Sequence, residues 1–207
     1  EFNLDQMVEK TYSVYQEVKR QKKILITKFG AIGDLVLAVP SFRMLRNRYP
    51  NAWISLLVDS KLAPLMERCP YLNELITFDR SKQSGQWERF FKLSKRLRER
   101  GFDLSIDLQN NWKSHLLSFL AHIPKRYGYK RGVTGFLLTH PVLTWNKNLS
   151  PVEHQFQVLK RAGVVHYKDQ VELWPLTEDD LYIEKLFRKQ GIVSTKPLIG
   201  LILGSSS

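Results

Sequence analysis

Residues 30–34 read Gly-Ala-Ile-Gly-Asp, and they stand between the apolar run Ile24-Leu25-Ile26-Thr27 and an amphipathic run that begins at Leu35. An apolar run, a turn containing two glycines and an amphipathic run predict a strand, a tight turn and a helix. Glycine lets the backbone turn sharply and lets another molecule approach it closely. A carboxylate such as Asp34 at the mouth of this turn disfavours a bound diphosphate. The pattern indicates a turn that offers a base to a hydroxyl-bearing substrate.

The rest of the chain alternates short apolar runs with amphipathic runs in the same order. The predicted strands cover residues 23–27, 53–58, 75–78, 104–108 and 126–129. The predicted helices cover residues 34–48, 61–68, 86–100, 112–121 and 153–162, with a loop between residues 129 and 153. Strands alternating with helices form βαβ units. The predicted fold class is therefore α/β, a parallel sheet with helices on both faces.

The sequence divides into three parts. Residues 1–22 form a predicted amphipathic helix with a basic end, residues 23–173 hold the parallel sheet, and residues 174–207 hold a linker, a helix over 178–190 and a buried strand over 197–204. A new strand after a linker is how a second α/β domain begins. Two interpretations of the first helix stay open: its apolar stripe packs on protein, or it lies on an anionic membrane surface.

Composition narrows the classes of protein that fit. The chain has 207 residues, with 32 Lys and Arg against 20 Asp and Glu, a formal net charge of +12 that attracts anionic partners. The single cysteine, Cys69, rules out an internal disulfide and indicates a reducing compartment. No apolar stretch approaches the ~18 residues of a membrane span. The five histidines show no metal-ligand spacing, so we expect metal-independent chemistry.

Several segments together resemble glycosyltransferase family 9, the lipopolysaccharide heptosyltransferases. They are residues 24–34, Leu37-Ala38-Val39-Pro40, residues 45–52 and residues 103–114. The resemblance covers about residues 23–163 and resumes at residues 201–206.

This resemblance implies a GT-B architecture, in which two Rossmann-like domains face a cleft. The N-terminal domain holds an anionic glycolipid acceptor of the lipopolysaccharide core, and the C-terminal domain holds a nucleotide-sugar donor, usually ADP-heptose. Residues 23–173 would then be the Rossmann-like acceptor-binding domain, and residues 174–207 would begin a truncated donor-binding domain. We expect no cofactor beyond the donor, no activity from the fragment alone, and a cytoplasmic location, peripheral on the inner face of the bacterial inner membrane.

The resemblance assigns roles to residues at the ends of predicted strands. It makes Asp34 the general base of an inverting transfer, whereas the residues alone also allow Asp34 to be a helix cap. Gly30 and Gly33 are assigned to substrate binding by close backbone approach, with simple turn geometry as the alternative. Ser205 and Ser206 match a hydroxyl-bearing loop that would contact the donor diphosphate.

The remaining candidates would hold an anionic group of the acceptor. Lys113 follows a predicted strand and is a candidate for a phosphate or carboxylate, with an exposed helix lysine as the alternative. Asn110, in the same segment, is also assigned to substrate binding. Lys130 and Arg131 are weaker candidates for the same anion, since a guanidinium pairs with phosphate bidentately.

Two other classes of protein stay open on the residues alone. A nicotinamide-dependent oxidoreductase also begins with a strand, a glycine turn and a helix, and Asp59 lies where a ribose-binding acid would. However, Lys28 occupies the first glycine position of that fingerprint, and Asp34 would repel the pyrophosphate. A basic nucleic-acid-binding module is indicated only by the net charge.

Overall fold

The computed structural model describes residues 6–9, 11, 21–79 and 85–192. The strands are β1 (Lys23–Thr27), β2 (Trp53–Asp59), β3 (Glu74–Phe78), β4 (Leu104–Asp107), β5 (Lys125–Tyr129) and β6 (His140–Val142). The helices are α1 (Ile32–Val36), α2 (Val39–Arg48), α3 (Gln86–Arg100), α4 (Trp112–Leu120), α5 (Pro151–Arg161) and α6 (Thr177–Lys189).

The six strands form one parallel sheet in the order β3-β2-β1-β4-β5-β6. β1 lies near the centre, with Ile24 beside Ile54 of β2 on one side and Leu104 of β4 on the other. The order of the strands reverses between β1 and β4, which is the position where open α/β sheets bind ligands. This arrangement confirms the predicted fold class, a Rossmann-like parallel sheet.

Helices cover both faces of the sheet. Leu25, Leu57 and Ile76 point from the sheet into a core that includes apolar side chains of α3 and α4. On the other face α2 packs against α5, and the buried hydroxyl of Ser41 donates to Gln155 Oε1 at 2.9 Å. Because side chains alternate along a strand, burial on both faces requires the nearly continuous apolar runs that these strands show.

One predicted helix is two helices in the structure. The expected helix over residues 34–48 is divided into α1 and α2 by a turn at Leu37 and Ala38. Pro40 lies in the first turn of α2, where its missing N–H costs nothing, whereas in one continuous helix it would remove a hydrogen bond and its ring would clash with the preceding turn. Asp34 therefore belongs to a separate short helix.

Two other predictions were wrong in detail. Residues 129–153 were expected to be a loop, but they contain β6, an edge strand of three residues with Pro141 at its centre. A proline within a run of three residues argues against a strand when only the sequence is considered. In the structure it is tolerated because β6 lies at the edge of the sheet. The helix expected over residues 61–68 is a single 3₁₀ turn, Ala63–Met66.

The chain divides into two compact units between Leu173 and Trp174. In the second unit the backbone N–H of Leu176 donates to Asp179 Oδ2 at 2.7 Å and so begins α6, one residue earlier than expected. The strand predicted over residues 197–204 lies outside the described residues. Of the predicted N-terminal helix, residues 6–9 and 11 are helical and the remainder lies outside the described residues.

Substituting alanine for the two glycines of residues 30–34 should have different effects on the stability of the fold. Gly30 has φ +82°, and a Cβ there would lie 2.7 Å from Leu62 Cδ1, so Gly30→Ala should destabilise the fold by about 1–3 kcal/mol. Gly33 lies inside α1 with open space at its Cβ position, so Gly33→Ala should be neutral or stabilise by up to ~1 kcal/mol. Urea unfolding of both variants measures the difference, and equal effects would contradict this account of the turn.

Candidate active site

Three loops meet at the carboxyl edge of the sheet. The backbone N–H of Phe29, after β1, donates to Gln109 Oε1 at 2.9 Å, after β4. The backbone N–H of Tyr129, at the end of β5, donates to Asn110 Oδ1 at 2.7 Å. The loops that follow β1, β4 and β5 are thus tied to one another by side-chain amides, at the point where the strand order reverses.

The buried carboxylate of Asp107, at the end of β4, organises the middle loop. Its Oδ1 accepts from the backbone N–H groups of Gln109 and Asn110 at 2.9 and 2.8 Å, and its Oδ2 accepts from the hydroxyl of Ser114 at 2.6 Å. His115 Nε2 lies 3.5 Å from the same Oδ2. Burial raises the pKa of Asp107, and the nearby His115 and the hydrogen bonds from Ser114 and the backbone oppose that rise.

Asp34 is not the cap of its helix. The N-cap of α1 is Ala31, and no side chain caps it. The Asp34 side chain is 53% exposed, and its Oδ2 lies 3.3 Å from Lys28 Nζ. The capping alternative therefore has no support. The carboxylate remains accessible to solvent beside the point where the strand order reverses.

Lys28 is the residue of this site that the sequence did not single out. Its side chain is only 10% exposed, and besides Asp34 its Nζ contacts the backbone carbonyl of Leu108 at 3.4 Å. Lysine is almost never buried without a partner. The available signal was a lysine directly after the apolar run of β1, at a position that was interpreted from the sequence only as a departure from a glycine fingerprint.

The two glycines play different parts beside Asp34. Gly30 is required by its backbone conformation and by the close approach of Leu62, which is the simple turn geometry given as its alternative. Gly33 is not needed for a turn, because it lies within α1 without a positive φ, and nothing occupies the space beyond its Cα. Close approach of a substrate to Gly33 stays a prediction.

Lys113 lines a pocket of about 350 Å³ at the same edge of the sheet. The lining of this pocket is largely apolar, with a few charged side chains. Its apolar residues include Phe29, Phe78, Trp87, Phe90 and Leu117, and its charged residues are Asp59, Lys61 and Lys113. Lys113 is half-buried, with its Nζ 5.5 Å from the Trp112 ring centroid, so it is not an ordinary exposed helix lysine.

The side-chain oxygen of Asn110 serves the loops themselves. Asn110 adopts a left-handed conformation, φ +51°, and its Oδ1 accepts from the Tyr129 backbone. A Cβ on Gly128 would lie 3.1 Å from that oxygen, so the glycine makes room for it. The structure gives Asn110 a positioning role; substrate binding by it stays a prediction.

Lys130 and Arg131 follow β5, do not line the Lys113 pocket, and are both exposed. The Arg131 guanidinium lies 4.8 Å from the Trp145 ring centroid, and Trp145 stacks on His154 with centroids 3.6 Å apart. His154 Nδ1 is 2.9 Å from the hydroxyl of Tyr129. The structure thus places two groups of candidate cations at this edge, not one.

The predictions for the donor-contacting serines and for the absence of a metal site involve residues that the structure does not describe. Ser205 and Ser206 both lie outside the described residues. Within residues 6–9, 11, 21–79 and 85–192, no group of three or more His, Cys, Asp or Glu side chains is arranged to hold a metal ion, and metal-independent chemistry stays a prediction. In the same residues no helix has the length and apolar character to cross a membrane.

Sequence comparison identifies the family. The model of glycosyltransferase family 9 (heptosyltransferase) matches residues 90–207 of this chain, more than half of it. Lipopolysaccharide heptosyltransferase 2 of Salmonella typhimurium is 30% identical over 189 residues, which cover 88% of this chain and 54% of that protein. Lipooligosaccharide heptosyltransferase 2 of Haemophilus ducreyi is 31% identical over 191 residues, with the same coverage. The chain belongs to glycosyltransferase family 9.

Solved structures agree on the fold. A family 9 glycosyl transferase from Veillonella parvula superposes with a TM-score of 0.80 at 23% identity, covering 90% of this chain and 54% of that one. The ADP-heptose lipopolysaccharide heptosyltransferase II of E. coli gives a TM-score of 0.66 at 24% identity, covering 84% and 52%. The chain spans about half the length of the curated relatives it matches.

The buried His154 predicts a pH dependence of stability. Burial lowers the pKa of His154; Glu153 opposes this and Arg131 adds to it. In the unfolded chain the pKa of this histidine has its ordinary value of ~6.5, so as the pH falls the unfolded chain takes up a proton before the folded one does. The contribution of His154 to stability is therefore present above that pKa and is lost as the pH falls. His154→Gln removes the titration and keeps an acceptor for Tyr129. The stability advantage of the wild type over this variant should therefore be larger at pH 7.5 than at pH 5.

Chemical unfolding at the two pH values measures that difference. His140, whose pKa burial also lowers, titrates in both proteins and cancels in the comparison. An advantage that is the same at both pH values would contradict the prediction.

Proposed function

We propose that this chain is the acceptor-binding half of an inverting heptosyltransferase, with Asp34 as general base. The observation that carries the proposal is the solvent-accessible Asp34 carboxylate at the carboxyl edge of the sheet, held on one oxygen by the buried Lys28. Family membership supports glycosyl transfer over the oxidoreductase and nucleic-acid-binding alternatives. The relatives named as lipopolysaccharide heptosyltransferases support a heptose as the transferred sugar.

A single carboxylate is sufficient as the general base of this transfer. A nucleoside diphosphate leaves readily, so the demanding task is to take the proton from the acceptor hydroxyl as its oxygen attacks. The oxygen forms a bond to the anomeric carbon from the face opposite the diphosphate, the bond to the diphosphate breaks, and the proton passes to Asp34. The configuration at the anomeric carbon inverts. Lys28 holds Asp34 Oδ2, which leaves the second oxygen to receive the proton.

The acceptor is proposed to be an anionic glycolipid of the lipopolysaccharide core. Lys61 and Lys113, which line the pocket together with Phe29 of the loop that leads to Asp34, offer two ammonium groups to a phosphate or carboxylate of that acceptor. The donor is proposed to be ADP-heptose, with Ser205 and Ser206 contacting its diphosphate. We further propose a cytoplasmic location, where nucleotide sugars are available.

Substitution of the base tests the proposal. Asp34→Asn removes the proton acceptor but keeps the side-chain shape and an oxygen that Lys28 can contact. Its kcat should fall by about 10²–10⁴-fold, in a full-length enzyme that carries this chain as its acceptor half. Its free energy of unfolding should change by about 1 kcal/mol or less, because the Asp34 side chain is 53% exposed and the asparagine oxygen still accepts from the buried Lys28. Transfer of heptose from ADP-heptose to a lipopolysaccharide-core acceptor is the measurement.

Asp103→Asn is the matched control. Asp103 lies at the opposite edge of the sheet, where its Oδ2 accepts from the Lys23 backbone N–H at 2.7 Å, and asparagine keeps an acceptor there. Its rate should stay within about two-fold of the wild type. Wild-type turnover by Asp34→Asn would remove Asp34 from catalysis, and an equal loss in both variants would indicate a general effect on folding.

A further inference from the structure

Four side chains that follow β5 form a continuous stack, which begins in the core and ends at the surface. Trp145 stacks on His154 with ring centroids 3.6 Å apart and an interplanar angle of 11°. Both rings contact Tyr129, whose hydroxyl lies 2.9 Å from His154 Nδ1 and whose ring centroid lies 4.9 Å from that of Trp145. The Arg131 guanidinium carbon lies 4.8 Å from the Trp145 centroid. We call these four residues the Arg131 stack.

The inner end of the Arg131 stack is tied to the loop that organises the candidate active site. Tyr129 is only 2% exposed, and its backbone N–H donates to Asn110 Oδ1 at 2.7 Å. The backbone N–H of Asn110 donates in turn to the buried Asp107. The exposed Arg131 is therefore placed relative to that loop by a chain of direct contacts.

A second arginine, Arg126, also lies against an aromatic ring, but its N–H groups are used within the fold. Its guanidinium carbon is 5.6 Å from the Phe119 centroid, and its Nε donates to the carbonyl of Leu137 at 2.6 Å. Among the residues that the structure describes, no carbonyl or carboxylate accepts from the Arg131 guanidinium. A guanidinium that stacks on a ring contacts it through its flat face and keeps its in-plane N–H groups for another partner.

The charge of the surrounding segment favours an anion as that partner. From Leu108 to Val152 the sequence has no Asp or Glu, so no acid of this segment neutralises Arg131. The planar fork of an arginine matches the two oxygens of a phosphate or a carboxylate.

We propose that Trp145 is a positioning residue, which holds Arg131 in place to bind a second anionic group, a phosphate or carboxylate, of the acceptor. The inference rests on the proposed function, in which Lys61 and Lys113 hold a first anionic group. Arg131 follows β5 and does not line their pocket, so the acceptor presents two separate anionic groups to the carboxyl edge of the sheet. Fixing the long arginine side chain in advance reduces the entropy that it loses on binding.

Titration calorimetry with a deacylated lipopolysaccharide-core acceptor tests the role of Trp145, in a full-length enzyme that carries this chain. Arg131→Gln should raise the Kd of the acceptor about ten-fold. Trp145→Leu should raise it about five-fold, whereas Trp145→Phe, which keeps an aromatic face, should stay within about two-fold of the wild type. Because Trp145 acts through Arg131, adding Trp145→Leu to Arg131→Gln should weaken binding no further.

Phe119→Leu is the matched control, because it removes a ring of similar exposure, 45%, that also lies against an arginine. Its Kd should equal that of the wild type. Three results would overturn the proposal: wild-type binding by Trp145→Leu, equal weakening by Phe119→Leu, or a double variant in which the two losses multiply to about fifty-fold, as they do for residues that act independently.

Two modified acceptors identify the anionic group. If Arg131 binds a phosphate, Arg131→Gln should have no effect on the Kd of a phosphatase-treated acceptor. If it binds a carboxylate, the effect should disappear with a carboxyl-reduced acceptor, and an effect that persists with both would contradict the inference. Calorimetry needs no turnover, so failure of the Asp34 prediction leaves these expectations unchanged. Absence of acceptor binding by the wild type would instead overturn the proposed function, and this inference with it.

Discussion

The candidate site depends on one buried carboxylate, Asp107. Its two oxygens hold two backbone N–H groups and the Ser114 hydroxyl, and these bonds fix the loop that carries Gln109, Asn110 and Lys113. Gln109 and Asn110 in turn hold the loop after β1 and the end of β5. Leaving one of those buried donors without an acceptor costs about 1–3 kcal/mol. The carboxylate that organises the site is therefore not the one proposed to do its chemistry.

Much of the fold was predictable because its signals are local. β1 and α3 begin and end where the residues predict, since an apolar run before a glycine turn and a helix between Gly85 and Gly101 need no distant contact to be recognised. β6 and the division of the first helix were not predictable in this way. They depend on Pro141 and Pro40, whose effects are decided by an edge position and by a neighbouring turn.

The site was predictable in kind but not in arrangement. Asp34 stands out as a carboxylate in a glycine turn, and its proposed role came from the family resemblance rather than from spacing. Lys28 acquires its meaning only from the 3.3 Å contact with Asp34, because burial is not visible in a sequence. Lys113 and Arg131 were assigned one task, yet the structure places them at separate surfaces, one beside an apolar pocket and one against Trp145.

The proline of β6 also limits how far the sheet can grow. Pro141 has no backbone N–H, and its carbonyl accepts from Arg161 Nη2 at 3.1 Å, so neither of its main-chain groups is offered to an incoming strand. Outer strands with unpaired main-chain groups are the usual starting point of aggregation and strand exchange. Pro141 therefore makes β6 a poor partner for a further strand, which disfavours association of two copies of the protein through this edge of the sheet.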